Sequence, residues 1–118
     1  MAKTKQRDVR IVVVIQEQFS ALHCWPSCPF EDVAYLKNSH RHLFKAVLKF
    51  KVSENIDREI EFIRLKNKIH RYFEERFENK NIGSMSCEQI ATILLKEFDA
   101  CFVSVFEDGE NGAEVRID

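Results

Sequence analysis

Ser39-His40-Arg41-His42-Leu43-Phe44-Lys45-Ala46-Val47-Leu48-Lys49-Phe50-Lys51-Val52 decides how this chain folds. As a β-strand, its period of two sends His40, His42, Phe44, Ala46, Leu48, Phe50 and Val52 to one face. The other face carries Arg41, Lys45, Lys49 and Lys51, with Leu43 and Val47 among them. Two imidazoles therefore head an apolar stripe that faces a core. An unpaired polar ring in a core costs free energy, and two rings one pleat apart can point at one metal ion.

Working towards the N-terminus, Val9–Gln18 alternates Val9, Ile11, Val13 and Ile15 with Arg10, Val12, Val14 and Gln16. This is the pattern of a strand apolar on both sides at its middle. His23 follows Phe19-Ser20-Ala21-Leu22 at its end. If the two strands are antiparallel neighbours, His23 approaches the His40/His42 end of the sheet. Three neutral imidazoles with one open position form the ligand set of a catalytic zinc site. Read alone, a histidine at a strand end is usually a capping or surface residue. Trp25–Asn38 holds both prolines and no clean periodicity, and reads as a loop of a length that usually carries function.

Towards the C-terminus, residues 53–57 read as a turn and Arg58–Phe62 as a short strand or a helix start. The spacing of Phe62, Leu65, Ile69, Phe73 and Phe77 is helical. His70 falls within this helix as an exposed or half-buried residue. After a polar break around Gly83, Ser86 and Gln89 form a capping-box pattern. Ile90, Leu94 and Phe98, with Ile93 and Leu95, supply that helix's buried face. Cys101–Glu107 is a strand, residues 108–112 a hairpin turn and Ala113–Ile117 a last strand. The order is ββααββ, an α+β chain with an antiparallel four-stranded sheet and two helices on one face.

The 118 residues suffice for a single domain over 1–118 with a core of its own. Residues 1–8 are expected to be flexible. A net charge of −1 gives no reason to expect nucleic acid or an anionic membrane as partner. Val9–Ile15 is too short to span a bilayer, so a cytoplasmic location is the default expectation. The cysteines at 24, 28, 87 and 101 make no C-x-x-C pair, which argues against a disulfide framework. Cys24 and Cys28 beside His23 are weak grounds for a structural zinc site. Glu107 ends an apolar strand, where a carboxylate is costly unless paired or facing a ligand. Such a carboxylate can take two hydrogen bonds from the N–H edge of a guanine or pterin ring. Spacing alone favours a solvated residue that merely begins the turn.

Together these segments resemble the 6-pyruvoyl-tetrahydropterin synthase / 6-carboxytetrahydropterin synthase family, a tunnelling fold, from about Val9 to Ile117. Phe19-Ser20-Ala21-Leu22-His23 resembles F-x-A-x-H, and His40-Arg41-His42 resembles H-G-H. These segments imply Zn2+ ligands at His23, His40 and His42. Glu59–Lys66 is similar to (V/I)-x-D-F-x-x-L-K, which favours a short strand ending near Glu61. Met85–Ala91 resembles P-T-S-E-N-(I/L)-A, implying substrate contacts at Cys87 and Glu88. Val103–Asp108 resembles V-x-V-x-E-T, whose glutamate, here Glu107, anchors a pterin.

The resemblance implies a zinc-dependent lyase acting on dihydroneopterin triphosphate, in tetrahydrobiopterin-like or queuosine-type biosynthesis. It also implies trimers or hexamers, which suits a sheet that would otherwise leave an exposed edge. Two departures bear on catalysis. The position of the family's cysteine is Leu36, leaving Cys28 as the candidate thiol. Its Asp-His pair is also missing from Arg76–Asn81, leaving Glu78, or Glu31 and Asp32 in the loop, to move protons. Loss of a general base removes about two to four orders of magnitude in rate. The alternatives are a non-catalytic pterin- or purine-binding or assembly protein of the same fold, and a metal-free relative whose histidines merely pack.

Overall fold

The computed structural model describes residues 10–53 and 57–117. The expected flexible start, the first residue of the Val9 strand and most of the turn after Ser53 lie outside the described residues. The elements are β1 (Val12–His23), a short 3-10 segment (Glu31–Lys37), β2 (His40–Lys51), α1 (Phe62–Arg76), α2 (Cys87–Phe98), β3 (Phe102–Glu107) and β4 (Asn111–Arg116). The strands form one antiparallel sheet in the order β1-β2-β3-β4. Helix α1 packs on β1, and α2 packs on β3 and β4.

Pleating sends Ile15, Phe19 and Ala21 of β1, Phe44, Ala46, Leu48 and Phe50 of β2, and Val103 and Val105 of β3 into the core. Ile69 and Phe73 of α1 and Ile90, Ala91 and Leu94 of α2 close over them. Phe19 is the hub. Its ring stacks on Phe44 at 5.1 Å and Phe77 at 4.7 Å, and Phe73 meets it edge-on at 4.9 Å. Aromatic pairs in such geometries add about 0.5–1.5 kcal/mol each beyond their buried area.

Several expectations need correction. The first strand does not stop at Gln18: its alternation carries on through Phe19, Ala21 and His23. Nor is it covered on both sides, since β1 is an edge strand and Val12 and Val14 stand exposed on the outer face. The expected short strand ending near Glu61 is absent among the described residues. Glu61 instead caps α1, its carboxylate accepting from the backbone N–H groups of Ile63 and Arg64 at 2.9 and 3.2 Å. Those N–H groups have no partner within the helix, so a carboxylate before the first turn is favoured there. Phe62 and Ile93, expected on buried helix faces, are exposed. The second helix begins as expected, with Ser86 and Gln89 completing the capping box.

The end of β1 that carries His23 is clamped. The chain after α1 runs beside it, with backbone hydrogen bonds Asn79 N–H to Ser20, Leu22 N–H to Lys80, Ile82 N–H to Leu22 and Cys24 N–H to Gly83. Glu78 belongs to this clamp, accepting the Ser20 N–H at 3.1 Å. Further along β1, Glu17 meets Lys66 Nζ at 3.1 Å and His70 Nδ1 at 3.2 Å across the β1–α1 seam.

Two stability measurements follow from these contacts. A Cβ on Gly112 would lie 2.1 Å from the Val105 carbonyl oxygen and 2.6 Å from Phe106 Cα. Gly112→Ala should therefore cost about 1–3 kcal/mol, the range for overpacking, read as a lowered midpoint in urea unfolding. Burial pushes the Glu17 carboxyl up, but hydrogen bonds from His70 and Lys66 outweigh it and hold it below its ordinary value. The Glu17 hydrogen bond and charge raise His70. Glu17's contribution is thus full above about pH 4.3 and lost as pH falls through its lowered value. His70's contribution is full below about pH 6.5 and lost as pH rises through its raised value. The melting-temperature gap between the native chain and Glu17→Gln should be widest near about pH 5–6 and narrow on either side.

Candidate metal centre

The β1–β2 register places His23 directly opposite His40, and His42 one pleat further along the same face. The rings are 4.6 Å (His23–His40), 5.3 Å (His23–His42) and 5.0 Å (His40–His42) apart between centroids. One nitrogen from each of the three lies within 4.8 Å of the others. His23 is buried, and His40 and His42 are half-buried.

Hydrogen bonding decides which nitrogens are available. His23 Nδ1 lies 2.8 Å from the Met85 carbonyl oxygen, and His40 Nδ1 lies 2.8 Å from that of Asn38. A carbonyl oxygen only accepts, so both Nδ1 atoms carry the proton and donate it. His42 Nδ1 lies 2.6 Å from Asp108 Oδ2. The Leu43 N–H bonded to Asp108 and the His42 hydrogen bond hold that carboxyl below its ordinary value. It is an acceptor too. In the neutral ring, each Nε2 is left with its lone pair. An acceptor behind each imidazole, fixing tautomer and ring plane, is the arrangement behind metal-ligating histidines.

Each anchor comes from a different connection. Met85 precedes α2, Asn38 precedes β2, and Asp108 opens the β3–β4 turn. Asp108 adopts φ 55°, a left-handed conformation costing roughly 1–2 kcal/mol for a residue with a side chain. It is tied to β2 by its backbone N–H to the Leu43 carbonyl (2.7 Å) and by Oδ1 to the Leu43 N–H (3.0 Å).

The donor set suits a borderline-soft divalent ion such as Zn2+, which binds neutral imidazole at about 2.0–2.1 Å. One observation supports the fit. His23 Nε2 is buried and makes no hydrogen bond, although Glu107 Oε2 is 3.2 Å away.

Next to the histidines opens a cavity of about 830 Å3, within the usual range for small-molecule pockets. His23, His40 and Glu107 line it, with Cys24 to Ser27, Leu36, Ser84 to Gln89, Asn111 and Gly112. Cys87 and Glu88 are thus both in the cavity wall. Burial, then the charges of Glu107 and Glu88, push the Cys87 thiol up to about 12, so it stays protonated.

The four candidate proton-moving residues are elsewhere. Cys28 is buried within the loop, its thiol 3.8 Å from the carbonyl oxygens of both Phe30 and Val33, and it is not part of the wall. The loop folds as a 3-10 turn over Glu31–Lys37 and curls around Cys28. Glu78 serves the β1 clamp, and neither Glu31 nor Asp32 lines the cavity. Leu36 does line it, so an apolar side chain stands where the resemblance has a cysteine. Sequence reasoning did not single out Asp108. Its signal was position: the acidic residue directly after Glu107, where the hairpin returns past β2. Cys24, weak grounds for a structural zinc site, lies in the wall beside His23.

No family model and no curated protein matches the sequence. Among solved structures, the 6-pyruvoyl tetrahydropterin synthase of Caenorhabditis elegans is similar, with a TM-score of 0.69. The match covers 93% of this chain and 97% of that one, at 14% identity. The chain therefore has the fold of that synthase, the α+β tunnelling fold implied by the order of its motifs.

Proposed function

We propose that this chain is a zinc protein whose cavity binds a pterin or purine-like ring, with Glu107 holding the ring's N–H edge. The observation that carries this reading is the convergence of three imidazoles whose Nδ1 protons are all committed elsewhere. His23, His40 and His42 would hold the ion, which would polarise a ligand oxygen lying beside that N–H edge. Glu107, inward at the end of β3, supplies the paired acceptor oxygens that a ring's amidine-like edge requires. Leu36 and Cys87 present apolar surface to a flat ring, and Glu88 adds a further acceptor at the cavity wall.

Binding is better supported than turnover. Cys28 is turned inward, Cys87 is held protonated, and Leu36 has no proton to move. A second reading, the zinc-dependent lyase acting on dihydroneopterin triphosphate, is favoured by one observation: the Cys24 thiol lines the cavity. On either reading the protein is cytoplasmic. The open β4 edge, the stretch of β1 beyond its 79–83 clamp and the exposed Val12 and Val14 suit a homo-oligomer, a trimer or a pair of trimers. Among the described residues, no helix is long and apolar enough to cross a membrane.

Purified chain should hold about one zinc per subunit by elemental analysis, and His40→Ala should hold none. Asp108→Ala should weaken zinc by about 10–100-fold, the usual cost of removing the partner behind a ligating histidine. Zinc-free native protein with an intact fold would end the metal reading. Neopterin should quench the protein's Trp25 fluorescence on binding. Dihydroneopterin triphosphate separates the two readings: turnover abolished by Cys24→Ala establishes the lyase, whereas neopterin binding without turnover leaves a binding protein.

A further inference from the structure

The charged side chains in the wall of the cavity are of one sign. Glu88 and Glu107 line it, and among the described residues no lysine or arginine does. Asp108 stands behind His42, its Oδ2 2.6 Å from Nδ1. The cations nearest in sequence are placed elsewhere. Arg41, between His40 and His42, falls on the other face of β2, where it donates to Ser20 Oγ at 2.8 Å and Asn79 Oδ1 at 3.3 Å. Lys37 follows Leu36 at the end of the 3-10 segment, and of the two only Leu36 lines the cavity.

Two features could still welcome an anion, and both are already countered. The N-terminus of α2 lies in the wall and is equivalent to about half a positive charge. Glu88 occupies the first turn of that helix, and the capping box ties the Gln89 N–H to Ser86 Oγ. A divalent ion on the three histidines would bring two positive charges, which Glu88 and Glu107 match, with Asp108 left over. The wall itself registers the carboxylates: after burial, the charges of Glu107 and Glu88 help push the Cys87 thiol up to about 12. Room is not the constraint. A cavity of about 830 Å3 stands high in the range of about 300–1,000 Å3 usual for small-molecule pockets.

We infer that the cavity takes an unphosphorylated ring, a pterin or purine base or its nucleoside-like form, and rejects the phosphorylated form of the same ring. This rests on the ring-binding reading above and names the ligand class within it. Carboxylates accept from ring N–H groups, so an uncharged ring rich in such donors gains from this wall. A phosphate chain instead adds negative charge to a cavity that is already negative. Like charges brought together without a cation between them are strongly disfavoured.

Two pairs of compounds test this on the purified full chain, freed of unbound metal: neopterin against neopterin triphosphate, and guanosine against GTP. Titration calorimetry should show the unphosphorylated member of a pair binding more than about tenfold tighter, the scale of a like-charge penalty. Raising salt from about 0.05 M to about 0.5 M should narrow that gap, because screening weakens repulsion and leaves uncharged ligands little affected. Glu88→Gln, which keeps an acceptor oxygen and removes the charge, should narrow it by about threefold or more. The salt series uses the native chain and so does not depend on the folding of a variant. Should a triphosphate bind as tightly as its partner or tighter, the inference is overturned while the ring reading stands. A gap that neither salt nor Glu88→Gln alters would overturn it equally, since charge would not be what rejects the phosphate. Should none of the four bind the folded chain, the ring reading goes and this inference with it.

Discussion

The antiparallel register of β1 on β2 is the constraint on which everything else in this molecule depends. Phe19 opposite Phe44 and His23 opposite His40 are set by the same pairing. A strand's side chains alternate, so a slip of one residue would turn every inward residue of β1 to the outer face. The slip would send Phe19 out of its stack with Phe44, Phe73 and Phe77, and would send His23 away from the other two imidazoles. Core energy therefore enforces site geometry. The histidines need no separate device to share a face, because the phenylalanine on each strand has already chosen it. His23 meets Phe44 edge-on at 5.2 Å, so the site rests directly on the aromatic core.

Ring position is set by strands, whereas ring orientation is set by connections. Met85, Asn38 and Asp108 each reach one imidazole from a different loop, and each must arrive for all three Nε2 atoms to converge. This explains two local costs. The chain after α1 is stitched to β1 by backbone hydrogen bonds along 79–83, which delivers the Met85 carbonyl to His23. Asp108 holds a left-handed backbone to pair with His42 and Leu43 at once. Backbone strain of this kind collects where a site needs a side chain aimed in one direction.

What the sequence made legible follows from this division. The two histidines of β2 could be read because they share parity with Phe44, Ala46 and Leu48, so periodicity alone points them inward. Ser86 with Gln89 was equally plain, since a capping box is a local motif with a local cause. Glu61 was misread because Ile60 and Ile63 fit a short strand or a helix start equally, and the resemblance at 59–66 favoured the strand. Only the two N–H groups of Ile63 and Arg64 decide between them. Glu107 was ambiguous for a similar reason. It is the last inward residue of β3 and also the residue before the turn, and spacing alone leaned to the turn. Asp108 and Cys24 act through the paths of connections, which periodicity does not encode. Cys28 differs in the opposite direction: it shares a loop with Leu36, which made it the candidate thiol, while the chain curls its thiol inward.

The chemistry open to the cavity follows from its thiols and carboxylates. Cys87 sits at the first position of α2, where a helix N-terminus ordinarily favours a thiolate. Here burial pushes the other way and is the largest influence, with the charges of Glu107 and Glu88 adding to it. At a value of about 12, roughly one molecule in 100,000 carries the thiolate at neutral pH. Even a full neutralisation of Glu107 would leave the burial in place. Cys87 therefore acts as a small apolar part of the wall, and any proton transfer in the cavity falls to other groups. The Glu107 carboxylate lies against the imidazoles of His23 and His42, so its charge acts on the histidine cluster and on the Cys87 thiol alike.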